Sequence, residues 1–472
     1  MQTECTQKSF PFHPQNRRQV VARFDGGSIT SDGGGLLLRE VDRRTGILEQ
    51  FARCFTDHRD VTLIEHTVRE LVGQRIYALA LGYEDLNDHD DLRRDPLLAT
   101  LVGKSDPSGD KRVRERDCGK PLAGKSTLNR LELSPAEAGP ASRYKKIVVD
   151  GERVERFFVE QFIQAHEQPP ERIVVDLDAT DDPLHGNQEG RFFHGFYGNY
   201  CYLPLYIFCG EFLLCARLRK SDIDASAGSV EELERIVGRI RQSWAEVKIV
   251  IRADSGFARE EIMAWCEANG VDYVLGLARN ARLTRALGRQ LREAKKEHER
   301  TGLPARVFRD FTYRTRKSWS RRRRVVGKAE HLSGGPNPRF VVTSIPISEI
   351  DARALYEDEY CARGEMENRI KEQQLYLFAD RTSAATMRAN QIRLWFSSVA
   401  YVLMQALRRL GLKGTTMAKA QCETIRVKLL KIGAQVRVTV RKIWVSLASG
   451  SPYAALFEQA YKNLRAAPPL RC

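Results

Sequence analysis

A chain of 472 residues can hold two or three domains around a large core. Its 76 Lys plus Arg against 61 Asp plus Glu leave a formal charge of +15, which favours a polyanionic partner over a neutral small molecule. The opening Met1-Gln-Thr-Glu-Cys-Thr6 lacks the apolar segment of a signal peptide, and the most apolar stretch, around Leu394 to Leu410, is short and arginine-flanked, so neither secretion nor a membrane partner is expected. The ten cysteines form no Cys-x-x-Cys and no Cys/His set at zinc spacing, which reads as reduced thiols in a cytoplasmic protein.

Residues 1–165 read as a mostly helical, DNA-binding region. Phe24 to Gly35 contains Asp25-Gly-Gly27 and Asp32-Gly-Gly-Gly35, the composition of a tight hairpin or turn. Residues 61–82 predict an amphipathic helix with Ile64, Val68, Leu71, Val72, Ile76 and Leu79 on one face and Gly82 as its stop. Asp88-His-Asp-Asp91 suits helix capping and solvation better than a metal site. Residues 103–125 are basic and rich in Gly and Pro, as in a linker or a DNA-contacting loop. Gly119 to Thr127 matches the phosphate-binding loop pattern letter for letter, but no apolar strand leads into it. A nucleotide ligand is therefore not expected, and Ser126 or Thr127 reads as the cap of a short helix.

Regular patterning begins at residue 172, in the first part of the core, 166–280. Ile173, Val175 and Leu177 alternate with Val174, Asp176 and Asp178, the period of a buried strand that ends in carboxylates. Either the strand runs out into a solvated acidic turn or the carboxylates meet a cation, for which Mg²⁺ is suited. Tyr202 to Cys209 and Glu211 to Leu218 predict a hairpin turning at Gly210, followed by a helix from Ser229. A buried strand, Val247 to Ala253, then ends at Asp254-Ser-Gly256, and helix 258–269 and strand Asp272 to Leu277 follow. Three antiparallel strands followed by alternating helix and parallel strand is the ribonuclease-H topology, with Asp178 and Asp254 on neighbouring central strands.

Residues 281–345 predict a β-rich basic insertion with strands near 306–313, 322–328 and 339–344. Arg314, Arg316, Lys317 and Arg321, Arg322, Arg323 and Arg324 flank Trp319. That composition suits a surface that tracks a nucleic-acid backbone and stacks a base on the indole; packing of Trp319 inside the insertion is the alternative. From Asp351 a helix is expected, with Tyr360, Arg363, Glu367 and Lys371 on one face. Residues 346–472 are expected to complete the core and close it with basic C-terminal helices.

With these residues assembled, the chain resembles a DDE transposase of a bacterial insertion sequence. It resembles the branch with a β insertion and a Tyr-x2-Arg-x3-Glu-x6-Lys signature, and the subgroup called DDE domain group 1. Asp178-Ala-Thr180, Asp254-Ser-Gly256 and Tyr360-x2-Arg363-x3-Glu367 resemble its three acid motifs, 76 and 113 residues apart (254 − 178 and 367 − 254). The signature's last Lys is Gln374 here, with Lys371 one turn earlier. The resemblance implies an α/β, ribonuclease-H-like catalytic core with the β insertion and an N-terminal helical domain. It implies that Asp178, Asp254 and Glu367 hold two Mg²⁺ ions about 4 Å apart, or Mn²⁺ in their place. It also implies that Tyr360, Arg363 and Lys371 meet DNA phosphate. Asp176 is the rival first acid; Asp178 sits at the strand end and precedes the small residue and Thr. The implied partners are double-stranded DNA, as terminal inverted repeats and target, and a second copy in a homodimer, with the protein nucleoid-associated. A nuclease without strand transfer and a non-catalytic DNA-binding regulator are the competing classes.

Overall fold

The computed structural model describes residues 9–467. The chain divides into two compact units. One runs to Asp150 and also takes Tyr376–Phe378 and the chain from Val399 onward; the other comprises Gly151–Leu375 and Ala379–Ser398.

The second unit is built on a nine-stranded mixed sheet. We label its main strands β1 (Arg172–Ala179), β2 (Leu205–Cys209), β3 (Phe212–Arg217), β4 (Lys248–Ala253), β5 (Asp272–Leu277), β6 (Ala305–Tyr313), β7 (Arg323–Leu332) and β8 (Arg339–Thr343). Their order across the sheet is β3-β2-β1-β4-β5-β8-β7-β6. β2 lies antiparallel between β3 and β1, and β1, β4 and β5 run parallel. The apolar runs of β1, β2, β4 and β5 make strands because both faces are covered. Val175, Leu177, Ile251, Tyr273 and Leu275 share one core with Phe162, Leu233, Ile236 and Met263 from helices Gly151–Gln164, Ser229–Ser243 and Glu260–Ala268. The alternate residues Val250, Val274, Val326 and Val341 form a smaller core with Leu355 and Tyr356, against which Val174 packs. By the two-residue period of a strand, Asp176, Asp178 and Arg252 belong to this second face.

Residues 281–345 are not a separate β module. They begin with helices Ala281–Ala286 and Gly288–Thr301, the latter carrying i,i+4 pairs Arg289–Glu293 and Lys295–Glu299 that favour a helix. Their strands β6, β7 and β8 extend the main sheet, β8 pairing antiparallel with β5.

The first unit is mostly helical, with corrections to the expected details. The helix foreseen over 61–82 starts at Val68. Thr67 and Glu70 form a reciprocal capping box there, and Gly82 ends the helix with φ +94°. Every residue from Leu71 to Leu81 is buried, so it is a core helix rather than an amphipathic one. Helix Lys125–Glu132 is capped by Gly124, so Ser126 and Thr127 lie inside it; no strand precedes it, and Lys125 pairs with Asp90 at 3.2 Å. His89 is buried and meets Gln74 Nε2 at 3.0 Å.

The C-terminal part departs furthest from expectation. Residues from Val399 pack with the N-terminal unit instead of closing the core, and two strands, Ala434–Val438 and Ile443–Leu447, stand among the expected helices. Val436, Val438 and Val440 alternate with Arg437 and Thr439, a period of two in β-branched residues. Ala434–Val438 pairs with Ser28–Thr30, so the glycine-rich N-terminal stretch joins a sheet with residues some 400 positions away rather than folding on itself. Gly33 N donates to the Ile432 carbonyl at 2.8 Å and Gly34 N to the Leu430 carbonyl at 3.1 Å. A Cβ at Gly34 would overlap the Leu429 carbonyl oxygen. Gly34→Ala is therefore expected to destabilise this unit by about 2–3 kcal/mol, whereas Gly119→Ala, with open space around its Cβ but φ +71°, should lose only about 1 kcal/mol; denaturant unfolding of both variants checks the contrast.

Candidate active site

The site is built at the carboxyl ends of β1 and β4. The pairing Ala253–Leu177 places Asp254 beside Asp178, one residue beyond each paired position. Asp254 turns the chain out of β4: its Oδ1 accepts from Gly256 N at 2.8 Å and starts the short turn Ser255–Phe257. Asp178 Oδ1 accepts from Ala179 N at 3.0 Å.

Of the four aspartates between 176 and 182, each has a distinct environment. Asp176 is buried and takes both arms of Arg252, at 2.5 and 2.8 Å, while Arg252 Nη1 donates to the Glu359 carbonyl at 2.5 Å. Its oxygens are committed to this pair. Asp182 is buried near Asp380, and burial pushes its carboxyl well above the usual range. Asp181 accepts from Asn199 Nδ2 at 3.1 Å. Asp178 is partly open and meets Arg363. Burial, then the proximity of Asp254 and Glu367, outweigh Arg363 and raise its pKa to about 6.

The chain over that face is not one regular helix. A three-residue helical turn, Ala352–Ala354, passes into a π-helical turn, Leu355–Tyr360, and a 3₁₀ turn, Cys361–Arg363, before helix Gly364–Leu377. Such insertions re-aim side chains and are common at functional sites. Arg363 Nη1 donates to Asp178 Oδ2 at 3.2 Å and Nη2 to Glu367 Oε1 at 2.6 Å, so one guanidinium joins two of the three acids. Among the described residues no three Asp, Glu, His or Cys side chains form a ready-made metal site. The donors nevertheless suit a hard divalent cation: all are carboxylate oxygens, and the raised pKa of Asp178 is that of a carboxylate short of positive charge.

Other groups surround the three acids. Lys371 is exposed, and Gln374 Nε2 donates to the Asp181 carbonyl at 3.1 Å. The half-buried Tyr360 reaches back over β5, where a Cβ on Gly276 would lie 2.5 Å from its hydroxyl and 2.9 Å from Ser255 N. Gly276 was invisible as a site residue in the sequence, since a glycine in a strand signals close approach without naming the partner. Beside it a cavity of about 280 Å³ is lined by Ser255, Arg279, Arg339, Tyr356 and Tyr360. Tyr197 also comes close, its hydroxyl pushed up to about 12 by burial and by Asp181 and Asp178.

The basic run around Trp319 divides in two. Trp319 is 4% exposed, edge-on to Tyr313 with ring centroids 5.7 Å apart, so the expected base-stacking role is not supported; the indole packs in the main core of the unit rather than inside the insertion alone. Arg323 lies over the indole and pairs with Glu260 and Glu267, each at 2.7 Å; Arg324 pairs with Asp310 at 2.6 Å. These two arginines hold the sheet extension together and are not free for a nucleic-acid backbone. Arg314, Arg316, Lys317, Arg321 and Arg322 are exposed, with Arg314 Nε on the Trp319 carbonyl at 3.1 Å and Arg321 near Glu267 at 3.2 Å.

The two rival aspartates should behave oppositely on mutation. Asp176→Ala leaves Arg252 buried without its partner and should destabilise the fold by about 3–5 kcal/mol. Asp178→Asn should instead stabilise the metal-free chain. The folded state holds the Asp178 proton more tightly than the unfolded state, whose value is 3.8, so its contribution weakens as pH rises from about 4 to about 6 and stays at that lower level above. The gain in EDTA at pH 7.5 is at most roughly 3 kcal/mol, reduced by the lost Arg363 pair, and it should shrink as the pH is lowered through 6 toward 4. Unfolding midpoints across pH measure both effects.

A search of curated proteins returns no match to the chain. The profile of the family described as transposase DDE domain group 1 matches residues 12–469, which spans both units and all three acid motifs. The chain belongs to the transposase DDE domain group 1 family.

Proposed function

We propose that this chain cuts and pastes an insertion sequence, with Asp178, Asp254 and Glu367 as its catalytic acids on a ribonuclease-H-like core. The observation that carries the proposal is the pairing of two parallel strand ends that sets Asp178 beside Asp254, with Glu367 tied to Asp178 through Arg363. The strand order β3-β2-β1-β4-β5, antiparallel then parallel, supports the core assignment. Two Mg²⁺ ions, or Mn²⁺, held by the three carboxylates would supply the positive charge that activates the attacking oxygen and stabilises the leaving one.

The residues divide the remaining work. Arg363, positioned between Asp178 and Glu367, would fix the scissile phosphate by charge-assisted hydrogen bonds. Lys371 and Tyr360 add a second charge and a hydroxyl on the same stretch. In the first reaction water attacks phosphorus at the element end and the 3′ oxygen leaves, taking a proton. In the second that 3′-OH attacks a target phosphate and displaces the target's own 3′ oxygen, so one phosphodiester bond forms for each one broken. A homodimer places one such site at each terminal inverted repeat.

Asp178→Asn, Asp254→Asn and Glu367→Gln should each reduce Mg²⁺-dependent cleavage of a duplex carrying the element end by at least ~100-fold, with duplex binding in EDTA retained. Full cleavage by any of the three removes that residue from the site. With a pre-cut end bearing a 3′-OH, joining to a target plasmid is expected; hydrolysis without joined product favours a nuclease, and binding without either reaction favours a regulator.

A further inference from the structure

We propose that the hairpin of Ala434–Val438 and Ile443–Leu447 is a second DNA-contacting element, a β-ribbon that lies in the groove of duplex DNA. The inference rests on the DNA substrate proposed above but concerns the other unit of the chain. Residues 431–450 contain Lys431, Arg437, Arg441 and Lys442 and no Asp or Glu. Arg437 and Trp444 are cross-strand partners and therefore share one face with the neighbouring pair Gln435–Ser446. Trp444 is 48% exposed, and among the described residues it is the one exposed tryptophan of the chain's five. Lys442 Nζ lies 5.2 Å from its ring centroid, which keeps both side chains turned outward.

The face borders a groove of about 770 Å³ lined also by Ser28 and Arg94. Asp110, the one acidic residue lining it, is bound by Ser108 Oγ at 2.6 Å. Arg94, Arg437 and Arg441 make no ion pair among the described residues, unlike Arg323 and Arg324 of the other basic run. The turn is closed by Thr439, which bonds Lys442 through backbone and hydroxyl at 2.8 Å, so Val440 and Arg441 stand at a stiff tip.

Shape and charge choose the occupant. Beyond the three residues that pair with Ser28–Thr30 the hairpin projects as a two-stranded ribbon; such a ribbon fits a major groove about 12 Å wide, and the stretch from Arg437 to the tip spans roughly 10 Å, enough for the groove's depth of about 8.5 Å. Arg437, Arg441 and Lys442 then meet phosphates, and Trp444 presents an apolar edge to the bases. Strand Ile443–Leu447 is at the sheet edge and could in geometry pair with a second copy, but two such hairpins would bring like charges together.

The test uses the full chain in EDTA with a mixed-sequence 30-base-pair duplex, followed by anisotropy between 50 and 200 mM salt. Replacing Arg437, Arg441 and Lys442 together by Gln should weaken binding about tenfold or more and flatten the slope of log affinity against log salt by roughly two to three. Trp444→Phe should remove most of the tryptophan quenching that the duplex produces. These side chains point to solvent, and an unchanged thermal midpoint will show that the variants fold. Wild-type binding with an unaltered slope in the triple variant overturns the hairpin assignment alone. Failure of the wild-type chain to bind any duplex overturns the transposase proposal and this one with it. A wild-type dimer that dissociates in Trp444→Ala, with duplex affinity unchanged, overturns the assignment in favour of a second copy.

Discussion

Two carboxylates one pleat apart on a buried strand set the main constraint on the unit built around the large sheet. Asp176 and Asp178 share a face of β1 with the stretch that follows Asp351, and neither can stay charged there without a cation. Arg252 answers for Asp176 with both arms and a bond onward to the Glu359 carbonyl, so a permanent ion pair fastens the covering segment to the sheet. Arg363 answers for Asp178 with a single longer contact and shares itself with a half-exposed Glu367. The first arrangement is buried and bidentate; the second is more open.

The sheet extension follows the same logic on a larger scale. Three further strands widen the sheet beyond β5, and two arginines of the basic run, Arg323 and Arg324, are used to join it. Arg323 reaches Glu260 and Glu267 on helix Glu260–Ala268, and Trp319 fills the space beneath it. A basic run in the sequence therefore does not say which of its arginines face solvent and which meet acids across the fold. Arg437 and Arg441 lack such partners among the described residues, and no acid stands near them in the sequence from 431 to 450.

The core strands and the two aspartates were legible in the sequence because period and chain order are local signals. Ile173 to Leu177, Leu205 to Cys209 and Val247 to Ala253 each carry a run that only a covered strand explains, and an acid at the end of two of them marked the candidate site. The order of the extension was not legible, because nothing local says that β8 pairs with β5 instead of closing a module of its own. The fate of Trp319 was not legible either, since its environment is made by Tyr313 and by helix Glu260–Ala268, through Arg323. Gly33 and Gly34 are the clearest case. Their lack of side chains read as a turn, while the physical need is close approach to the backbone of residues 429–432.

The same distinction between local and distant signals explains why the third acid is the hardest to place. Glu367 sits on a helix whose approach contains a π turn and a 3₁₀ turn, so its direction relative to β1 cannot be derived from spacing alone. Arg363, four residues earlier, supplies the link: a guanidinium that reaches both Asp178 and Glu367 fixes how far apart those carboxylates stand. An arginine in that place offers its planar fork to two carboxylates, Asp178 and Glu367, at once. One side chain thus joins two carboxylates carried by separate elements, a match that a lysine, with one point charge instead of a planar fork, would not make as well.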